Sequence, residues 1–319
     1  MSYIDIFNGD ADGIMALLQL RHADPRESIL VTGVKRDIKL LEQVSVQPGD
    51  MLTVLDISLK SNHDALERVL AEGAQVTYFD HHAAGDIPDH SGLITRIDPA
   101  PEVCTSLIVD RYLNGRYREW AIAAAFGDNL VSTATQLAED SGFGEHQIEQ
   151  LKTLGVLVNY NGYGHHLEDL HVHPAKLYRQ LSRYHSPFDL IRESESVFTH
   201  LEQAYQQDMQ CVKQLRPYAE NDVARMYILP HQAWSRRVSG VYSNQLANEE
   251  PTRANAVVTD NGDETYTISV RAPLANRQGA NAICSQFPSG GGREAAAGVN
   301  QLPFDQLEYF WSVFSAYYQ

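Results

Sequence analysis

Residues 3–13 read Tyr-Ile-Asp-Ile-Phe-Asn-Gly-Asp-Ala-Asp-Gly, an apolar run that breaks directly into a turn carrying Asp10 and Asp12. Two later runs end the same way: MLTVL stops at Asp56, and VTYF stops at Asp80-His81-His82. Short apolar runs alternating with amphipathic stretches build βα units around a mainly parallel sheet. The strands predicted are Tyr3–Phe7, Ile29–Val34, Met51–Ile57 and Gln75–Phe79, with a weaker one at Leu93–Ile97. Helices are predicted near Gly13–His22, Ile38–Val44 and Ser61–Glu72, followed by a helical region from Cys104 to Ala138. The fold class is therefore α/β, a doubly wound sheet. In such sheets ligands bind outside the carboxyl ends of the strands, and here that edge receives acids from separate strands.

Like charges converging at one edge repel and raise one another's pKa values unless cations neutralise them. A lone Asp-x-Asp-Gly is ordinarily a turn or helix cap, and a single strand-terminal aspartate is ordinarily a cap as well. An Asp-His-His triplet after a strand is rarer, because two imidazoles beside a carboxylate need partners. Together the three point to a divalent ion. Oxygen ligands mixed with imidazole suit manganese, with magnesium as the alternative, better than thiolate-bound zinc.

The composition narrows the setting. The chain has 319 residues, 43% hydrophobic and 21% charged, an ordinary globular make-up with length for two cores. Its formal charge is 25 − 41 = −16, a poor match for long duplex DNA, whose phosphates want a basic footprint. Cys104, Cys211 and Cys284 are odd in number and form no CxxC pair, so a reducing, cytoplasmic setting is expected. The N-terminus lacks the basic region of a secretory signal, and no apolar run reaches membrane-spanning length, so no membrane partner is expected.

Between Arg192 and Leu215, Val197, Leu201, Tyr205, Met209 and Val212 share one helical stripe, which predicts an amphipathic linker helix. A second α/β pattern follows: strand Val223–Leu229, helix Val238–Asn248, strands Ala254–Thr259 and Thr265–Arg271, helix Asn276–Gln286, then a glycine run. The expected organisation is 1–190, a linker helix over 191–219, and a smaller α/β domain over 220–319.

The ordered motifs NGDADG (8–13), VLDIS (54–58), FDHH (79–82) and FGDN (126–129) resemble those of the DHH phosphoesterases. The second domain resembles the DHH-associated domain, with Gly290-Gly291-Gly292 followed by Ala296-Ala297-Gly298. The resemblance implies a two-domain manganese phosphoesterase whose active site lies between the domains and uses one or two ions. It implies Asp10, Asp12, Asp56, His81 and Asp128 as metal ligands, with Asp56 bridging two ions. It also implies Asp80 orienting His81, and His82 on the substrate phosphate. Asp128 comes from the resemblance alone; by itself it reads as a helix terminus. Where the family often has a histidine ligand, four residues before the first aspartate, this chain has Ile6, which cannot coordinate. One metal site would then be weaker, or be filled through Asn8, water or His82, which leaves occupancy by two ions open.

Gly290–Gly292 would bring backbone amides to an anion if a helix started at Arg293. Arg271 and Arg293 offer guanidinium forks to phosphate, and Arg293 stands where the family has histidine. His165, His166, His171 and His173 read as solvated loop residues, Tyr160 and Tyr163 as packing residues. The C-terminal aromatic run reads as a helix covering the second sheet, or alternatively as a homodimer contact.

The activity implied is hydrolysis of short oligonucleotides, dinucleotides or small phosphonucleotides by metal-activated water. Two rivals stand beside it. One is a catalytically reduced nucleotide-binding protein or sensor, and the other an inorganic pyrophosphatase, which the sparse lysine of the second domain disfavours.

Overall fold

The computed structural model describes residues 1–319, which form two compact units, Met1–Ala204 and Tyr205–Gln319. In the first, β1 (Tyr3–Phe7), β2 (Ile29–Val31), β3 (Met51–Leu55), β4 (Gln75–Asp80) and β5 (Leu93–Ile97) form an all-parallel sheet in the order β2-β1-β3-β4-β5. The chain leaves β1 toward one edge and later returns to lay β3 on its other side. The crevice where ligands bind such sheets therefore opens between the ends of β1 and β3.

The helices of this unit are α1 (Ala11–Ala23), α2 (His63–Ala71), α3 (Thr105–Tyr112), α4 (Arg118–Gly127), α5 (Val131–Asp140), α6 (Glu145–Gly162), α7 (Pro174–Leu181) and α8 (Pro187–Arg192). The predicted helix at Ile38–Val44 is only a 3-10 turn, Leu40–Gln43, and β2 stops at Val31 rather than Val34. One sheet face buries Ile4, Ile6, Leu52, Val54, Val76 and Tyr78 against Leu66, Val69 and Leu70 of α2. Helices α1 and α3 pack on the other face. From Ala11 to Leu20 every residue of α1 is buried, which is why its sequence is apolar on all sides instead of along one stripe.

The far end of α1 is tied to β1 by an ion pair between Arg21 and the fully buried Asp5. Asp5 also accepts from Ser28 Oγ at 2.6 Å, and Arg21 donates to Thr53 Oγ1 at 2.9 Å. With its last turn anchored, α1 holds its N-terminus at the crevice.

Helix α9 (Val197–Val212) passes from one unit into the other, and the division falls within it, between Ala204 and Tyr205. It is shorter at both ends than the predicted stretch from Arg192 to Leu215. The second unit contains β6 (Ala219–Glu220), β7 (Ala224–Leu229), α10 (Ala233–Glu249), β8 (Ala254–Asp260), β9 (Thr265–Arg271), α11 (Ala280–Cys284), β10 (Gly290–Gly292), β11 (Ala296–Pro303) and α12 (Leu307–Tyr317). Its sheet runs β10-β11-β9-β8-β7-β6, with β7 and β8 parallel and the other pairs antiparallel. Leu307, Phe310 and Phe314 of α12 enter its core, as the aromatic pattern predicts. No helix of the chain is long and apolar enough to cross a membrane.

One expectation fails in this unit. No helix starts at Arg293: Gly290, Gly291 and Gly292 pair with Val299, Gly298 and Ala297 as an edge strand, and residues 293–296 close a tight turn. Backbone groups committed to a hairpin ladder do not form the amide cradle a phosphate loop requires. The glycine triplet builds the hairpin that carries Arg293.

Helices α4 and α6 cross so closely that a Cβ on Gly155 would lie 1.9 Å from the Ala123 carbonyl oxygen. Asp128 caps the end of α4 at this crossing. Gly155→Ala is expected to destabilise the chain by about 1–3 kcal/mol through overpacking, read as a lower urea midpoint. An unchanged midpoint would show that the crossing yields freely.

Candidate metal centre

The loop after β1 must pass very near the loop after β2: a Cβ on Gly9 would sit 1.9 Å from the Gly33 carbonyl oxygen. Asn8 fastens the two loops. Its Nδ2 donates to the Lys35 carbonyl at 3.0 Å, and its Oδ1 accepts from the Asp10 N–H at 3.2 Å. Asn8 thus uses both ends of its amide on the chain. Asp10 is the N-cap of α1, its Oδ1 accepting from the N–H groups of Asp12 and Gly13 at 3.0 and 3.1 Å. Its Oδ2 meets the Lys35 ammonium. One oxygen of this carboxylate caps the helix and the other meets a cation.

Asp12, in the first turn of α1, accepts at 2.7 Å from Thr105 N–H on one oxygen and from Ser106 N–H on the other. It therefore ties the start of α3 to the start of α1. Asp56 follows β3 with φ at 58°, a left-handed conformation that costs a non-glycine residue of order 1–3 kcal/mol and clusters at functional sites. Its N–H donates to the Phe79 carbonyl at 3.0 Å, and its Oδ1 accepts from Thr105 Oγ1 at 3.1 Å.

After β4, Asp80 Oδ1 accepts from the His81 N–H at 2.9 Å and from His82 Nδ1 at 2.7 Å. Asp80 therefore orients the His82 ring and the His81 backbone. The His81 ring itself is held by the Val103 carbonyl, 2.9 Å from Nδ1, a correction to the expected role of Asp80. A carbonyl only accepts, so His81 Nδ1 carries a proton, and Nε2, 3.4 Å from Asp56 Oδ1, is the nitrogen that faces the acids. Ligand atoms of Asp56, His81 and His82 all lie within 4.8 Å of one another.

The electrostatics mark one shared pocket. Burial, then the charges of Asp12 and Asp10, push the Asp56 carboxyl well above the usual carboxylate range, and Asp128 adds to this while His82 opposes it. Burial raises Asp12 too, with Asp128 and Asp10 adding to it against His81. Asp10 goes the other way: burial would raise it, but the Lys35 ammonium and the capping hydrogen bonds hold it low. His82 would be lowered by burial, and Asp80 outweighs that and raises it. Asp56, His81 and His82 thus form the tight group of possible ligand atoms, and Asp10, Asp12 and Asp128 stand near enough for their charges to act on Asp56. The donor set fits a divalent ion. Asp128 Oδ2 is buried without a hydrogen-bond partner, and the acids outnumber the one ammonium beside them.

Lys35 was not anticipated from the sequence. It lies just past β2, the same strand-end position that singled out Asp56 and Asp80, and a search confined to acids passes over it. Its Nζ is 3.2 Å from Asn159 Oδ1 and 3.7 Å from Asp128 Oδ1, with the Tyr163 ring centroid at 5.6 Å. Burial alone would lower its pKa, but the charges of Asp10, Tyr163 and Asp128 hold it well above the ordinary lysine value. Tyr160 and His171 are hydrogen-bonded to each other at 2.8 Å, and His173 caps α7. Ile6 is fully buried in the sheet core.

In the second unit, Arg271 ends β9 and stands opposite Ala296, so it shares an end of the sheet with the turn that carries Arg293. Arg271 Nε donates to Asn244 Oδ1 at 2.8 Å, and Arg293 is exposed.

No protein-family model matches the chain, and no curated protein does. Solved structures do match. RecJ in complex with Mn2+ from Thermus thermophilus superposes with a TM-score of 0.61 at 17% identity, over 99% of this chain and 52% of that one. A second RecJ, an exonuclease bound to manganese, gives 0.57 at 17% identity over 99% and 90%. PggH, a pGpG-specific phosphodiesterase from Vibrio cholerae, gives 0.56 at 13% identity over 99% of both chains. The fold is that of the DHH phosphoesterases. The chain spans about half the length of the Thermus RecJ chain and nearly all of PggH.

In the ion-free chain Asp12 and Asp56 titrate above their unfolded values. Their contribution to stability is complete below the ordinary carboxylate pKa, roughly 4, and is lost as pH rises through the folded values. Asp10, held low, stays ionised across that range. A divalent ion present at about 100 times its Kd would add about 2.7 kcal/mol to the folded state. The thermal midpoint is therefore expected to rise with MnCl2 at pH 7.5 and to rise less at pH 5, where protons compete for the ligands. An equal rise at both pH values would place the ion elsewhere.

Proposed function

We propose that the chain is a metal-dependent phosphoesterase acting on short oligonucleotides, dinucleotides or small phosphonucleotides, with manganese as the ion and magnesium as its substitute. The observation that carries this reading is the grouping of Asp56, His81 and His82, whose possible ligand atoms lie within 4.8 Å of one another, with the charges of Asp12 and Asp128 felt at Asp56 and the His82 side chain 44% exposed. A divalent cation bound there supplies Lewis acidity, polarising a phosphoryl oxygen and making hydroxide available near neutral pH.

The chain's own groups account for the rest. Asp12, Asp56 and Asp128 form the ligand wall, and His81 adds its Nε2, the Nδ1 proton being committed to Val103. His82 is fixed through Nδ1 by Asp80 and leaves its other nitrogen for the substrate. Because Asp80 favours the imidazolium, His82 donates to a non-bridging phosphate oxygen. Arg271 and Arg293 are the proposed contacts to the remainder of the nucleotide. The net charge of −16 favours small anions over long strands, and the full-length likeness to PggH agrees with a dinucleotide-sized substrate.

Turnover of a linear dinucleotide and of an aryl phosphodiester with MnCl2 tests the reading. Asp12→Ala and His81→Ala should each reduce kcat at least 100-fold, beyond the 10–100-fold typical of losing an outer partner of a ligand, and chelator should do the same. Asp80→Asn belongs to that lesser class. The rival reading, a nucleotide-binding sensor of reduced catalytic power, is favoured by Lys35 among the acids and Ile6 in the core. It prevails if wild type is as inactive as the variants while nucleotide binding persists.

Arg293→Ala is expected to raise KM by about 10-fold, the worth of one charge-assisted contact of about 1.5 kcal/mol, with manganese content unchanged. An unaltered KM on every substrate turned over removes Arg293 from the site.

A further inference from the structure

The acids of the centre are unevenly provided with cations. Asp56, His81 and His82 face one another on the β3–β4 side with no cationic lysine or arginine among the atoms they contact. On the β1–β2 side, Lys35 Nζ sits among three oxygens: Asp10 Oδ2 in direct contact, Asn159 Oδ1 at 3.2 Å and Asp128 Oδ1 at 3.7 Å. An ammonium is a compact point charge with three donors, and here it is hydrogen-bonded to Asp10 and Asn159 with a longer ion-pair contact to Asp128. Asp10 and Asp12 both have each carboxylate oxygen hydrogen-bonded, and what sets Asp10 apart is that one of its partners is a cation. Its Oδ1 is spent on the α1 cap and its Oδ2 on Lys35. Asp128 is divided: Oδ1 leans to Lys35, while Oδ2 is buried without a partner. Ile6 of β1 is fully buried in the apolar core and supplies no donor.

We infer that Lys35 is a built-in cation occupying one half of the centre, so that the chain binds a single divalent ion on Asp12, Asp56, His81 and Asp128, while Asp10 serves the lysine. This rests on the reading of the pocket as a metal centre and settles the ion count that the motifs leave open. The fixed lysine is a positioning residue: it holds Asp10 and one oxygen of Asp128, and it adds a positive charge beside the bound ion.

Manganese stoichiometry on the intact chain tests this, by isothermal titration with MnCl2 at pH 7.5 and by electron paramagnetic resonance of the loaded protein. Wild type is expected to bind one ion and to show an uncoupled Mn2+ signal. Lys35→Ala, which removes the ammonium and opens its place, is expected to bind two ions with a spin-coupled signal. Two ions on wild type would overturn the inference while leaving the metal-centre reading intact; none would overturn both. A Lys35→Ala chain with the wild-type circular dichroism spectrum that still binds one ion would also overturn it. If that variant does not fold, Asp10→Asn decides. Its Mn2+ affinity should stay within about 10-fold of wild type, whereas Asp56→Asn should lose more than about 100-fold. An equal loss in both would return Asp10 to the ion and defeat the proposal.

Discussion

Four carboxylates share one buried pocket at the end of a parallel sheet, and that repulsion is the constraint around which the first unit is organised. Burial makes each charge costlier and each neighbour raises the proton affinity of the next, as the upward shifts of Asp12 and Asp56 record. The chain answers with every stabilising group within reach. Two backbone N–H groups of α3 serve Asp12, the α1 cap serves Asp10, Thr105 serves Asp56, and an ammonium reaches in from β2. What these groups leave over is the demand for a divalent cation.

The same groups do structural and chemical work at once. Asp10 caps α1 and holds Lys35, and Asp12 joins the starts of two helices while facing the pocket. Asp80 fixes the His82 ring and the His81 backbone. Rigid elements carry the whole assembly: α1 is locked at its far end by Arg21 and Asp5, and Asp128 is set by a helix crossing too tight for a methyl group. A metal centre built this way is preorganised, because its ligands are held by hydrogen bonds and packing that exist whether or not the ion is bound.

The second unit teaches a narrower lesson about glycine. Gly290–Gly292 has the composition of a phosphate loop, yet β11 lies beside it and the triplet pairs as an edge strand. Glycine permits many backbone conformations, so which one is adopted depends on the neighbour available, and that neighbour is the strand just after the turn, with Gly298 opposite Gly291. The arginines fare differently, since Arg271 at a strand end and Arg293 at a turn are placed by the hairpin whatever the glycines do.

The apolar runs, their spacing and the acids at their ends were enough to determine the α/β class, the strands that deliver Asp10, Asp12, Asp56 and His81 to one edge, and the aromatic helix over the second sheet. These are local facts, since alternation and strand termini are properties of neighbouring residues. Tertiary structure alone decided what lies across the pocket. Asp128 arrives from the end of a helix more than a hundred residues after Asp12, Val103 rather than Asp80 holds the His81 ring, and Lys35 turns in to neutralise Asp10. No periodicity encodes those encounters, because electrostatic partners are selected by distance in space, and that distance exists only once the sheet has formed.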